Sequence, residues 1–418
     1  MRWSGKSRLI DNGGAAKLHT KQHAIVVGAG VGGLMTALAL QHCGMKVSVY
    51  ERSPDIQRGG AALTLWSNAT RIIAQYGVLE RILPLCKPIA EGKIETAEGE
   101  CLATIPCKAM AERYGAPILC VLRATLLEAL YEAVGQHNVH FNKTCVDVTQ
   151  TAATVTVMFE HAPEVTGDVL IACDGIHSAV RARIRRSAET MRYSGYTAWR
   201  GIAPLSLDLN AKAQMLEIWG RGARFGIAPI SDTQLYWFAT ENAAPNQTSE
   251  DGEKAHLLRF AKAFTSPVAM VVAATPETHI LRNDVYDRKP LVTWVDGRIA
   301  LLGDAAHAAT PNLGQGACMA IEDAAVLAYC MASSRQADIG KTLRRYESIR
   351  RKRANRIVRL SWRVGQVGQL ARPQTVWTRN QLVKHVPQWF QRRSFNSIAG
   401  YQTPNATASR THRSSGVE

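Results

Sequence analysis

The chain has 418 residues, of which 46% are hydrophobic, and its 50 Lys and Arg outnumber 34 Asp and Glu to give a formal net charge of +16. That length exceeds one ordinary core and suits two or three domains around a large shared interior, while no apolar run is long enough to cross a bilayer. The nine cysteines are scattered, with no CxxC pair and no metal-like spacing with histidine; this argues against a disulfide framework or a metal centre and fits buried thiols in a reducing cytoplasm. The positive charge lacks the aromatic interleaving or recognised motif of a nucleic-acid binder, so no nucleic-acid partner is expected.

In chain order, residues 1–22 are basic without the apolar stretch of a secretory signal, and read as a disordered leader. Residues 24–27 form a short apolar run ending at Gly28, a helical pattern follows over 31–43, Gly44 stops it, and 46–50 read as a second strand. This strand, helix, strand order is that of a parallel α/β unit. Helical segments near 68–76 and 123–134, alternating runs near 139–148 and 153–159, and an apolar strand over 169–173 come next. From 192 to about 240 the pattern becomes aromatic and strand-like, which predicts an antiparallel sheet and a second domain. An apolar strand over 299–302 returns to Gly303 and Asp304, an Ala-rich helix covers 316–331, and basic helices follow; the arginine-rich stretch 343–363 reads as a solvated helix face, and the polar end after 400 as disordered.

Three strings carry chemistry. GAGVGG places Gly28, Gly30 and Gly33 between strand and helix, with Glu51 twenty-three residues after the first glycine. That is a dinucleotide fingerprint: the glycines allow a tight turn and close backbone approach, the helix N-terminus meets the pyrophosphate, and the acid accepts from ribose hydroxyls. It does not separate FAD from NAD. The second string, DGIHSAVR, sets Asp174 and Arg181 after a buried strand. The third begins at Gly303 and Asp304 and runs through Pro311, Gly314, Gln315 and Gly316 into a helix, whose unpaired N–H groups and positive end favour negative charge on a bound group. His307 reads as a helix-packing histidine, and Glu322 and Asp323 as structural carboxylates.

The order and spacing of these strings resemble the single-component flavoprotein hydroxylases, a group that includes salicylate and hydroxybenzoate hydroxylases, FAD-dependent urate hydroxylase and zeaxanthin epoxidase. The resemblance spans about residues 23–372. It implies a Rossmann-like FAD-binding domain with a parallel sheet (23–190, resumed at 291–333), an antiparallel substrate domain (191–290), C-terminal helices (334–399) and a tail (400–418). By resemblance, Gly28, Gly30, Gly33, Glu51 and Arg52 hold the ADP half of FAD, Arg123 steadies its phosphate–ribityl region, Val146 meets the adenine, and Asp174, Gly303, Asp304, Gly314, Gln315 and Gly316 complete the cofactor set. No second glycine fingerprint follows, so NADH or NADPH is expected as a transient electron donor without its own Rossmann domain.

On the substrate side Tyr196, Trp199, Tyr236, Trp237 and Phe238 are candidate lining residues, of which alternation turns about half inward. Arg224 and Tyr236 match substrate-contacting positions of the urate hydroxylase pattern and, with Pro311, form the candidate catalytic set. An arginine fork suits an anionic or carbonyl-rich planar ligand. Asn312, however, stands where that pattern has an aspartate, which argues for a substrate other than urate. The resemblance thus implies hydroxylation by O2 of a small aromatic or N-heterocyclic substrate through a flavin C4a-hydroperoxide, by a cytoplasmic monomer or homodimer. Epoxidation of a polyene is the alternative, with the basic helix giving peripheral membrane contact. A halogenase would carry a WxWxIP signature that this sequence lacks, and a flavin-binding regulator would have less need of all three strings.

Overall fold

The computed structural model describes residues 22–56, 60–185, 190–265, 267–333 and 338–404. Most of the leader and the tail from residue 405 lie outside the described residues.

The strand, helix, strand opening forms as its pattern predicts, and it nucleates a six-stranded sheet. In spatial order the strands are Val295–Asp296, Ile299–Leu301, Val169–Ala172, His23–Val27, Lys46–Tyr50 and Val139–His140; the first is antiparallel to its neighbour and the rest are parallel. Residues 24–27, 169–172 and 299–301 are buried without exception, which is why they read as continuous apolar runs and not as alternation. Helix Val31–His42 packs on Arg123–Val134 and Gly316–Ala332. A three-stranded antiparallel sheet, Cys145–Gln150, Val155–Phe159 and Ala162–Gly167, adjoins the parallel one, with Phe159 against Tyr50 at 4.8 Å between ring centroids. The chain leaves His23–Val27 for Lys46–Tyr50 on one side and later places Val169–Ala172 on the other, so the carboxyl ends of these strands form a topological switch point.

The second sheet has seven strands in the order Leu281–Asp287, Arg192–Ala203, Leu235–Asn242, Ala223–Pro229, Gln214–Trp219, Glu91–Thr96 and Cys101–Ile105. It is antiparallel except where Gln214–Trp219 runs parallel to Glu91–Thr96. The last two strands come from the segment counted by sequence with the first domain, where hairpin alternation is weak, as in EGKIET. One face carries Trp199, Phe225 and Trp237 into a core with helices Glu253–Ala261 and Val268–Ala274. Trp199 and Trp237 therefore point away from any substrate pocket, Trp237 donating to Thr275 at 2.8 Å and Trp199 to Glu253 at 2.6 Å. The opposite face carries Tyr196, Arg200, Arg224, Tyr236 and Phe238, as strand alternation requires.

The basic stretch is not a solvated face throughout. Helix Ile339–Gly368 buries a seam at three- and four-residue intervals, including Leu343, Tyr346, Arg350, Ala354, Ile357 and Ser361. Arg350 is fully enclosed: its Nε donates to Asp323 at 2.6 Å, and one terminal nitrogen lies 2.7 Å from Glu322. Asp323 also bonds His307 at 2.5 Å and accepts from the Gly303 backbone N–H at 3.2 Å. Arg353 completes the cluster with two 2.7 Å bonds to Glu322. Tyr401, in the stretch read as tail, covers both arginines with its ring.

Burial opposes the charge on Asp323, yet His307 and Arg350 outweigh it and pull its pKa down from 3.8 to about 2. The folded value lies below the unfolded one, so this stabilisation, on the order of 2 kcal/mol, is full above about pH 4 and is lost as pH falls toward 2. Asp323→Asn removes one of the two carboxylates that hold buried Arg350, together with the charge facing His307, and is expected to lower stability by about 3–5 kcal/mol. Urea unfolding at neutral pH reads that loss, and the variant's stability should respond less to acid between pH 4 and 2.

Candidate active site

At the switch point the first glycine takes a conformation that other residues resist. Gly28 has φ +100°, and a Cβ there would lie 2.4 Å from the Cys173 carbonyl oxygen; a Cβ on Gly33 would lie 1.8 Å from the Gly28 oxygen. Gly30 and Gly316 differ, because a Cβ on either meets nothing within 4 Å. Two glycines thus pack strand and helix together, and two open onto space a ligand can approach. Glu51 ends its strand under this loop and accepts from the backbone N–H of Ala29 at 2.7 Å and of Ser53 at 3.0 Å. Arg123 is half-buried close enough to feel the Glu51 charge, Arg52 is exposed, and Val146 is 55% exposed on the adjoining small sheet.

The second and third strings meet directly. Arg181 donates to the Ala305 carbonyl at 3.2 Å, and Arg288, just past strand Leu281–Asp287, donates to the Ile176 carbonyl at 2.8 Å. Asp174 accepts from the Val180 N–H at 3.3 Å, while its buried Oδ1 has no partner. Desolvation raises the pKa of both Asp174 and Asp304. Asp304 follows Gly303, whose φ of +61° turns the chain into a short helical turn with the carboxyl facing a cavity. Further along, Pro311–Leu313 form a 3-10 turn, Gly314 takes φ +58°, and helix Gly316–Ala332 starts with no acidic residue in its first turn and no side-chain cap. Buried Gln315 Nε2 and Trp66 Nε1 likewise have no partner.

Those features fit FAD. Unpartnered acceptors suit hydroxyl donors, the glycines leave room for a close backbone approach, and two helix N-termini offer N–H groups to negative charge. Asp174, Asp304 and Gly314 to Gly316 would hold the flavin half, and Gly28 to Gly33 with Glu51 the nucleotide half.

The cavity, of about 500 Å3, lies between the two sheets. Ile176 and His177 come from the second string, Asp304, Ala308 and Pro311 from the third, and Arg200, Asn283 and Tyr286 from the large sheet. Pro311 is therefore on its wall, but Arg224 is not. Arg224 is 2% exposed, with Nε on Gln369 at 2.9 Å, one terminal nitrogen on Glu217 at 3.2 Å and the other on Asn312 at 2.5 Å. Tyr196 donates to the same Asn312 oxygen at 3.1 Å. Tyr236 pairs with Ala228, four residues along the strand from Arg224, which sets the two about 13 Å apart. Tyr236 packs with Ile202, Met215, Ala228 and the antiparallel strand pair Ala62–Leu65 and Leu119–Leu122, and burial pushes its phenol up to about 12. Sequence reasoning missed Arg200, in YTAWRGIAP; its signal was a charge inside an aromatic strand, on the same face as Tyr236.

A family model described as FAD binding domain matches residues 21–361. The chain is 36% identical over 360 residues to an aurachin C monooxygenase/isomerase from Stigmatella aurantiaca, covering 86% of this chain and 93% of that protein. The chain belongs to the single-component FAD-dependent aromatic hydroxylases. These enzymes, this one included, are FAD-dependent monooxygenases. A 2-heptyl-3-hydroxy-4(1H)-quinolone synthase from Pseudomonas aeruginosa is 32% identical over 379 residues, covering 88% of this chain and 95% of that one. Klebsiella pneumoniae HpxO, complexed with FAD and uric acid, superposes with a TM-score of 0.83 at 30% identity, covering 92% of this hydroxylase and 98% of that chain. Among the described residues no helix is long and apolar enough to cross a membrane, and no His, Cys, Asp and Glu group could hold a metal.

In this hydroxylase Gly28→Ala would drive a methyl into backbone that has no rotamer to yield. Purified variant is expected to carry a small fraction of the parent's FAD, read from flavin absorbance per chain, and to melt at lower temperature.

Proposed function

We propose that this enzyme takes electrons from NADH or NADPH and hydroxylates a neutral, carbonyl-bearing N-heteroaromatic ring. The observation that carries the reading is how charge is placed around the cavity. Off the wall, Arg224 is matched by Glu217 and sealed by the neutral amide of Asn312, and on the wall itself Arg200 stands with Asp284 and Asp304, so no net positive charge is left there for an anionic ring. The substrate would meet polar atoms at Arg200 and Asn283 on the cavity wall and, next to Arg200 on the same sheet face, the side chains of Ile202 and Tyr236 with Met215 and Leu122. Relatives named for aurachin C and for a heptyl quinolone, a heteroaromatic ring with an alkyl chain, support that mix. The Asn312 amide where urate hydroxylase has a carboxylate supports a substrate other than urate.

When bound, reduced FAD would supply the two electrons that activate O2, one oxygen atom of which enters the ring while the other leaves as water. The chain's own residues position and shield. The N-terminus of Gly316–Ala332 would stabilise negative charge on the reduced ring. Tyr236, with a phenol pKa raised to about 12 by burial, keeps its proton at neutral pH and can donate to a ring carbonyl. Arg200, within reach of Asn283 at 3.5 Å, would add a second donor from the cavity wall. Asp304 and Pro311 would set the depth at which the substrate meets the flavin. No protein nucleophile is needed.

The test is substrate-stimulated oxidation of NADH and NADPH, with the oxygenated product identified by mass. An alkyl quinolone is expected to accelerate oxidation and gain one oxygen, whereas urate and phenolic acids should give little coupled product. Urate or a phenolic acid outperforming the quinolone would overturn the neutral-ring reading. Arg200→Gln is expected to raise KM about tenfold, the value of one charged hydrogen bond, while FAD content stays unchanged. An unaltered KM would make Arg200 a bystander.

A further inference from the structure

From residue 348 to 417 the sequence has no Asp or Glu and fourteen Lys and Arg, nearly the whole of the net +16. The long helix sets Lys352, Arg356, Arg359 and Arg363 on its exposed side at three- and four-residue spacing, opposite its buried seam, and this stripe ends at Val367, which is 43% exposed. After Arg372, also exposed, the chain forms two helices in succession, Pro373–Lys384 and Gln388–Ala399. Trp377, Leu382 and Trp389 are 66%, 67% and 65% exposed there, whereas Trp66, Trp199, Trp219, Trp237 and Trp294 are all buried. Helix Pro373–Lys384 buries Arg379 alone, which donates to the carbonyls of Gly368 at 3.1 Å and Gly220 at 3.2 Å and lies over the Trp219 ring. That buried arginine pins the helix to the body and sets Trp377 on its far side, with Leu382 exposed on its flank.

We propose that this basic, tryptophan-bearing C-terminal region docks the enzyme on an anionic lipid surface. Tryptophan favours the headgroup level, leucine the acyl boundary, and each Lys or Arg near an anionic leaflet adds attraction. A second copy of the chain fits less well, because a two-fold contact through this face would set basic stripe against basic stripe. Nucleic acid would use the charge but gains little from exposed Leu382 and Val367. Docking here is independent of the identity of the ring that is hydroxylated.

The test is flotation of the full FAD-loaded chain with phosphatidylcholine vesicles, with and without phosphatidylglycerol. Binding is expected with phosphatidylglycerol, weak binding without it, and weakening at high salt. Trp377→Ser with Leu382→Ser is expected to reduce binding about tenfold or more while FAD content and NAD(P)H oxidation remain at parent levels. Arg359→Gln with Arg363→Gln should reduce it through charge alone. Absence of binding to phosphatidylglycerol vesicles, or equal binding by the Trp377/Leu382 variant, overturns the proposal. So does a lipid-free dimer that this variant abolishes, or a single-stranded oligonucleotide that both proteins bind equally and that strips the parent from vesicles.

Discussion

Asp323 grips three things at once: the backbone N–H of Gly303, the imidazole of His307 and the guanidinium of Arg350. Gly303 and His307 flank Asp304, and Asp323 itself rises from the helix that begins at Gly316. One buried carboxylate therefore ties the turn bearing Asp304 to the helix that follows it. Burying such charges is unfavourable unless every partner is in place. The arrangement is consequently stiff, and stiffness is what a positioned flavin ring needs when no side chain performs the bond-making itself.

The arginines divide by role according to what surrounds them. Arg350 and Arg353 are consumed by internal carboxylates, Arg224 by Glu217 and two amides, and Arg379 by backbone carbonyls. Arg200 remains on the cavity wall. An excess of positive charge, read as a whole-chain number, thus conceals three separate jobs: cross-linking helices, closing the end of a pocket and coating one outer side. The inward strand face shows the same economy, since Gly226 has no side chain and the Phe238 ring occupies the place a Cβ would take.

Much of this was legible in the residues. The glycine fingerprint, the acid ending the second strand and the three buried strands were set by short-range rules that tertiary context does not override, and they appear as His23–Val27, Lys46–Tyr50, Val169–Ala172 and Ile299–Leu301. Helix Gly316–Ala332 was equally plain. Glu91–Thr96 and Cys101–Ile105 were not, because Lys, Glu and Thr at half-buried positions blur a period of two, and their pairing is non-local. Arg224 and Tyr236 share one sheet face, but the interval between them gave no sign that Gln369, Glu217 and Asn312 would engage the Arg224 guanidinium, because those partners come from distant segments. Arg350 was misjudged because one buried position in a run of arginines looks like its neighbours until the seam is known.

The parallel contact between Gln214–Trp219 and Glu91–Thr96 has a bearing on how this molecule can be taken apart. The polypeptide crosses from the nucleotide-binding half into the large sheet, returns, and crosses again, so the halves are stitched rather than strung. A fragment beginning at residue 191 would lack two strands and bare the backbone of Gln214–Trp219, an edge that invites other chains to pair with it. Protease nicks in loops should accordingly leave the pieces associated, and swapping the substrate sheet between relatives would succeed only if the early hairpin travels with it.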